Sequence, residues 1–159
     1  DQMPLPGDVA DVVVSNCVLN LVPNKAAVMS EMFRVLKAGG HFSVSDVVLK
    51  GDLPDALRND ATMYAGCVAG AMQESDYLAA LEAAGFEEVL VQKRKTITIP
   101  HDILAKYLDT DQILAFQAGA MGIFSITVFG KKPGSSLRGV KAKVKLSELQ
   151  SCQPASGCC

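Results

Sequence analysis

"DVVVSNCVLNLVPNKAAVMSEMFRVLKAGGHFSVSDVVL", residues 11–49, decides the fold. Its first six residues, 11–16, are short and Val-rich, the pattern of a strand buried on both faces. Pro23-Asn24 marks a helix start. Val28, Met32, Val35 and Leu36 then recur at i, i+4, i+7 and i+8, which makes one apolar helical face. Lys37 is expected in the last turn, with Gly39-Gly40 stopping the helix. "HFSVSDVVL", residues 41–49, reads as the next strand. Strand, helix and strand with short connections form a βαβ unit and imply a parallel sheet. One residue stands out. A buried strand normally ends in Gly, Asp or Pro, and this one ends on Cys17.

Working outward, residues 52–73 are less periodic and contain "YAGCVAGAM". They are expected to form one or two short helices laid over a site. "SDYLAALEAAGF", residues 75–86, is a clear helix with Ser75 as N-cap and Gly85 just past its end. "EEVLVQKRKTITIP" alternates and reads as a long strand up to Pro100. A helical insert is expected over about 102–118 and a last strand in "GIFSITVFGKK". Strands at 89–99 and 123–130 have no long crossover helix between them, so an antiparallel pair at the sheet edge is expected. The globular part covers 1–133. From 134 to 159 the composition turns to Gly, Ser, a basic "RGVKAKVK" and a Cys-rich end, which reads as a flexible tail.

The 159 residues carry a net charge of −2, with 49% hydrophobic and 20% charged residues. This is an ordinary globular balance for about one domain. Nothing in it points to nucleic acid or a membrane surface. No run of about 18 apolar residues suggests a membrane span. The acidic, proline-containing start does not read as a signal peptide. Five cysteines, Cys17, Cys67, Cys152, Cys158 and Cys159, are odd in number and irregular in spacing. Without a leader, reduced thiols in a cytoplasmic protein fit better than a disulfide framework. Zinc fits poorly, because no CxxC or Cys/His spacing occurs. His41 and His101 read as surface or strand-edge histidines.

The order β, α ending "RVLKAGG", β, α ending "LEAAGF", β and β resembles the C-terminal half of a class I S-adenosylmethionine-dependent methyltransferase, a Rossmann-like α/β sheet. The resemblance narrows at "SNCVLNL", residues 15–21, and "GCVAGA", residues 66–71. These motifs are similar to those of arsenite methyltransferases, over roughly residues 4–130. The resemblance implies methyl transfer from S-adenosylmethionine to arsenite or an arsenic–thiol conjugate. It makes Cys17 and Cys67 ligands of trivalent arsenic, and Ser15 and Asn16 contacts of the methyl donor. It implies a thiol reductant, glutathione or thioredoxin, as co-substrate. It also places the glycine-rich cofactor loop, three strands and a further cysteine upstream of residue 1, in an N-terminal half of the same protein.

Elementary chemistry agrees with that assignment. In an open α/β sheet ligands sit outside the carboxyl ends of the strands, where Cys17 falls. Two thiolates can bind one soft centre. Taken singly, each cysteine reads first as packing; their motifs reverse that preference. Asp46 ends the next strand at the same rim and is a weaker candidate. Glu31 and Arg34 read as a solvated helix face, and Met29, Met32 and Phe33 as core. The tail cysteines are thiol-capture or redox candidates, or plain tail sequence. A non-catalytic thiol-based metalloid-binding fragment is the alternative. A nicotinamide-dependent enzyme would need a Tyr-x-x-x-Lys pair, but Val68 and Leu81 follow Tyr64 and Tyr77 at that spacing.

Overall fold

The computed structural model describes residues 2–62, 68 and 70–134. Cys67 and the tail from residue 135 lie outside them. The described elements are β1 (Ala10–Asn16), a 3-10 turn at Leu19–Leu21, α1 (Lys25–Val35), β2 (Leu36–Lys50), α2 (Asp55–Thr62), α3 (Glu74–Ala83), β3 (Glu87–Thr96), α4 (His101–Tyr107), α5 (Thr110–Gln117) and β4 (Gly122–Lys131). The four strands form one sheet in the order β1-β2-β4-β3. β1 and β2 are parallel. β4 runs antiparallel to both β2 and β3. The βαβ unit and the antiparallel pair are therefore where the sequence places them. No helix among the described residues is long and apolar enough to cross a membrane.

β1 is not buried on both faces. It is an outer strand with one described neighbour, and Val12 and Val14 are 46% and 74% exposed while Val13 packs inward. The Val-rich run specifies a strand, but burial needs a second neighbour.

Helix α1 starts at Asn24, whose side chain accepts the Ala27 N–H at 3.0 Å. It buries Met29, Met32 and Val35, with Phe33 packed against the same core. It ends before the glycines, because Leu36 is already extended (φ −69°, ψ 138°). Lys37 thus belongs to β2 and pairs across to Asp11 at 2.9 Å. Between Ala10 and Val12 the β1 register moves from Leu36 to His41 on β2. Residues 37–40 absorb that excess as a bulge, and Gly39 supplies its positive φ of 81°.

The solvated face assigned to Glu31 and Arg34 is also corrected. Glu31 is only 9% exposed. It accepts from Arg34 Nε at 2.8 Å and from the Met3 backbone N–H at 2.9 Å. Arg34 donates in turn to the Leu5 carbonyl at 2.8 Å. The i, i+3 pair on α1 is covered because residues 3–5 lie over it. The Arg34 guanidinium holds the Glu31 carboxyl at a pKa of about 2.

Side chains alternate across β2. Phe42, Val44 and Val48 pack under α1 and α3, with Leu81, Phe86, Ile126 and Val128. Val47 and Leu49 face the second cluster, with Leu57, Ile103, Leu104 and Phe116 from α2, α4 and α5. Phe42 lies edge-on to Phe86 at 4.6 Å between ring centres. It also covers Gly130, its cross-strand partner. A Cβ at Gly130 would stand 2.5 Å from the Phe42 ring, so this strand position has room for hydrogen alone.

Three boundaries move. Ser75 lies inside the first turn of α3, and Gln73 holds the N-cap position without a side-chain bond. β3 stops at Thr96 rather than Pro100. After the Ile97 N–H bonds the Ile123 carbonyl at 2.9 Å, only Gly122 of β4 remains. The insert is two helices divided by Asp109, which caps α5 in a reciprocal box with Gln112.

Candidate functional site

The carboxyl ends of β1 and β2 lie side by side, Asn16 opposite Ser45. Cys17 extends the ladder by one step, its N–H donating to the Ser45 carbonyl at 2.8 Å. Its φ is +55°. This is the left-handed region, which costs a residue with a Cβ roughly 1–2 kcal/mol. Such a conformation persists only where the surroundings hold it. Cys17 is partly buried at the margin of the second core cluster. Ser15 is half-buried and Asn16 exposed. Ser15 also lines a groove of about 310 Å³ beside β1, with Met3, Val13, Val18, Val28 and Met32.

Behind Cys17 sits a polar cluster that is almost closed to solvent. Asp46 is 0% exposed and Asn20 5%. The Asn20 amide donates to Asp46 Oδ1 at 2.7 Å and to the Val47 carbonyl at 2.6 Å. Asp46 Oδ1 also accepts the Val47 N–H at 3.0 Å. The buried Tyr77 hydroxyl, from α3, faces the same carboxylate. Burial pushes the Asp46 carboxyl up. The Val47 N–H, the Lys25 charge, the Tyr77 hydroxyl and the backbone N–H of Asn20 offset part of that. Burial likewise pushes the Tyr77 hydroxyl up, followed by the nearby Asp46 charge, with Cys17 adding to them. Cys17 is therefore within electrostatic reach of the cluster.

The structure brings Ser15, Asn16, Cys17 and Asp46 to one rim. Cys67, the second thiol expected there, and Cys152, Cys158 and Cys159 lie outside the described residues. Val68, the next residue, is fully buried. Among the described residues no group of three His, Cys, Asp or Glu side chains could hold a metal ion. His41 stacks against Phe129 on the sheet. Sequence reasoning missed Asn20 and Tyr77. A usable signal existed for Asn20, a lone amide inside the apolar run "VLNLV".

Residues 1–85 match the family described as a methyltransferase domain. The chain belongs to that family. This methyltransferase domain is 41% identical over 96 residues to an arsenite methyltransferase of Halobacterium salinarum, covering 60% of this chain and 25% of the relative. It is 39% identical over 98 residues to an arsenite methyltransferase of Aquipseudomonas alcaligenes, covering 62% and 28%. Among solved structures it is similar to an arsenic(III) S-adenosylmethionine methyltransferase from Chlamydomonas reinhardtii. That likeness has a TM-score of 0.63 and 33% identity, over 83% of this chain and 40% of the other. The chain thus spans about a quarter of the length of the curated relatives.

Proposed function

We propose that this domain is part of an enzyme that methylates trivalent arsenic with S-adenosylmethionine. The observation that carries the reading is Cys17. It is a thiol on a strained, hydrogen-bonded turn at the strand rim, in a chain similar to arsenite methyltransferases. Ser15, on the groove beside β1, and Asn16, exposed at the strand end, fit the amino-acid end of the donor. When bound, S-adenosylmethionine supplies an electrophilic methyl group.

The Cys17 thiol displaces a hydroxide or a small thiol from arsenic, and its proton leaves with that group. Cys67 provides a second sulfur in the same way. Arsenic bound by sulfur keeps its lone pair, which is the nucleophile, so no side chain needs to remove a proton for attack. The chain's contribution is then to hold the acceptor at attack distance, an effect that can supply about 7–11 kcal/mol. Loss of the lone pair leaves arsenic formally pentavalent. A thiol reductant such as glutathione or thioredoxin returns it to the trivalent state. A cytoplasmic setting, which keeps thiols reduced, suits this chemistry.

The test is Cys17→Ser in the intact protein that contains these residues. Arsenic methylation is expected to fall to background with the circular dichroism spectrum unchanged, and full activity would overturn the assignment. A second reading, resting on the partly buried thiol at the strand rim alone, is a thiol-based metalloid-binding fragment without catalysis. Titrating residues 1–159 separately with arsenite and with the methyl donor distinguishes the two: arsenite binding without donor binding supports the fragment.

A further inference from the structure

Asn20 is not a residue that the chemistry above uses, yet three segments converge on it. It lies in the 3-10 turn three positions after Cys17. Its amide hydrogens are both engaged by β2, one on Asp46 Oδ1 and one on the Val47 carbonyl. Both partners only accept as drawn, so the NH₂ group must face them. Residues 17–20 are therefore attached to one strand at two points. The Cys17 N–H is bound to Ser45, and the Asn20 side chain to the two residues that follow. The third segment is the chain around Gly70. A Cβ there would collide with the Asn20 carbonyl oxygen, so the two backbones are in direct contact. That segment is itself tied to β2, the Leu49 N–H donating to the Met72 carbonyl at 2.8 Å. Tyr77 and Asp46 close the cluster from behind.

A residue at φ +55° does not keep that conformation by its own preference. Of these two attachments to β2, the one at Asn20 depends on a side chain and can be removed by substitution. We propose that Asn20 is a positioning residue for arsenic(III) binding: its bridge to Asp46 and Val47 holds the Cys17 turn in the conformation that presents the thiol at the rim. The proposal rests on Cys17 being an arsenic ligand.

The experiment compares Asn20→Ala, Asn20→Asp, Asn20→Asp combined with Asp46→Asn, and Cys17→Ser in the intact protein that contains these residues. Arsenite affinity is read from the sulfur-to-arsenic absorbance in the near ultraviolet, and affinity for S-adenosylmethionine is measured beside it. Asn20→Ala is expected to weaken arsenite binding about 10–100-fold, the range found when groups that orient a metal ligand are removed. Donor affinity should stay within about twofold, a separation that general loosening of the fold would not produce. Asn20→Asp sets two carboxylates against each other and should be at least as weak. Adding Asp46→Asn restores a donor–acceptor pair of equal size and should recover much of the binding.

Parental arsenite affinity in Asn20→Ala overturns the positioning role, as does a parallel fall for both ligands. If Asn20→Ala does not fold, equal arsenite affinity in Asn20→Asp and in the double variant overturns it instead. If Cys17→Ser binds arsenite as the parent does, the ligand assignment falls and the positioning role falls with it. If only Cys17→Ser loses binding, the ligand assignment stands and the positioning role alone is wrong.

Discussion

The sheet has two outer strands, and they are built differently. β3 carries Glu87, Glu88, Lys93, Arg94 and Lys95, all exposed, and two register irregularities against β4. Ion pairs link Lys131 to Glu88 and Arg94 to Glu74 across and beside it. Leu90 is its one large exposed apolar side chain. β1 presents Val12 and Val14 to solvent, with Val9, Val18 and Leu21 exposed in the segments flanking it. Charges and irregular register are how sheet edges resist pairing with other chains. β3 has both. β1 meets a single register irregularity near its start, the bulge of β2, and only Asp11 carries charge along its length. One edge is finished for solvent; the other has the composition of a surface to be covered.

The largest expected effect follows directly. Residues 1–159 in isolation should associate through β1 rather than remain monomeric. Light scattering coupled to size exclusion measures this, and a monodisperse monomer with cooperative thermal unfolding would break the comparison. Next in size, Val14→Lys should shift that association strongly toward monomer. Thermal stability should change by no more than about 0.5 kcal/mol, since the side chain is exposed. Unchanged association would mean that the chain pairs elsewhere. The mirror substitution, Lys95→Val on β3, should raise association at a stability change below about 1 kcal/mol. No rise would show that the bulges, not the charges, protect that edge.

The smallest effect concerns the segment beside β1. Glu31 accepts the Met3 N–H and has its pKa lowered from 4.5 to about 2, chiefly by Arg34. A depressed carboxylate contributes stability that is complete above its ordinary pKa and is lost as pH falls toward the folded value. Melting temperature between pH 4.5 and about 2 should therefore fall less steeply in Glu31→Gln than in the parent. Identical slopes would place the acid sensitivity elsewhere. Asp46 has the opposite sign. Its raised pKa favours the fold at low pH and disfavours it as pH climbs, so Asp46→Asn should remove that loss of stability with rising pH.

What was legible in the sequence were the features set by local periodicity. Strand, helix and strand over residues 11–49 needed only alternating and i, i+4 spacing, and the antiparallel end followed from a missing crossover. What failed depended on neighbours distant in the chain. The burial of β1 requires a strand on its outer side. The burial of Glu31 comes from residues 3–5 folding over a helix face that is polar by composition. Gly39-Gly40 look like a helix stop because a bulge and a helix end both use glycine's positive φ, and only strand register separates them. At the site, Cys17 could be read because a cysteine at a strand end is unusual. Asn20 stood out only as a lone amide in an apolar run and Tyr77 not at all, since the roles of both come from contacts with Asp46.

The contact between Phe42 and Gly130 has a consequence for the evolution of the fold. The two positions face each other across β2 and β4, and one ring fills the space that two ordinary side chains would share. Neither can drift alone. A Cβ at 130 collides with the ring, and a smaller residue at 42 leaves a void beneath Phe86. Across sequences that share this sheet the pair should covary as one unit, an aromatic residue at 42 with glycine at 130, and a shorter side chain at 42 wherever 130 is larger. A crossover between divergent genes that separates residue 42 from residue 130 should yield poorly folded chimeras in one combination and under-packed ones in the other.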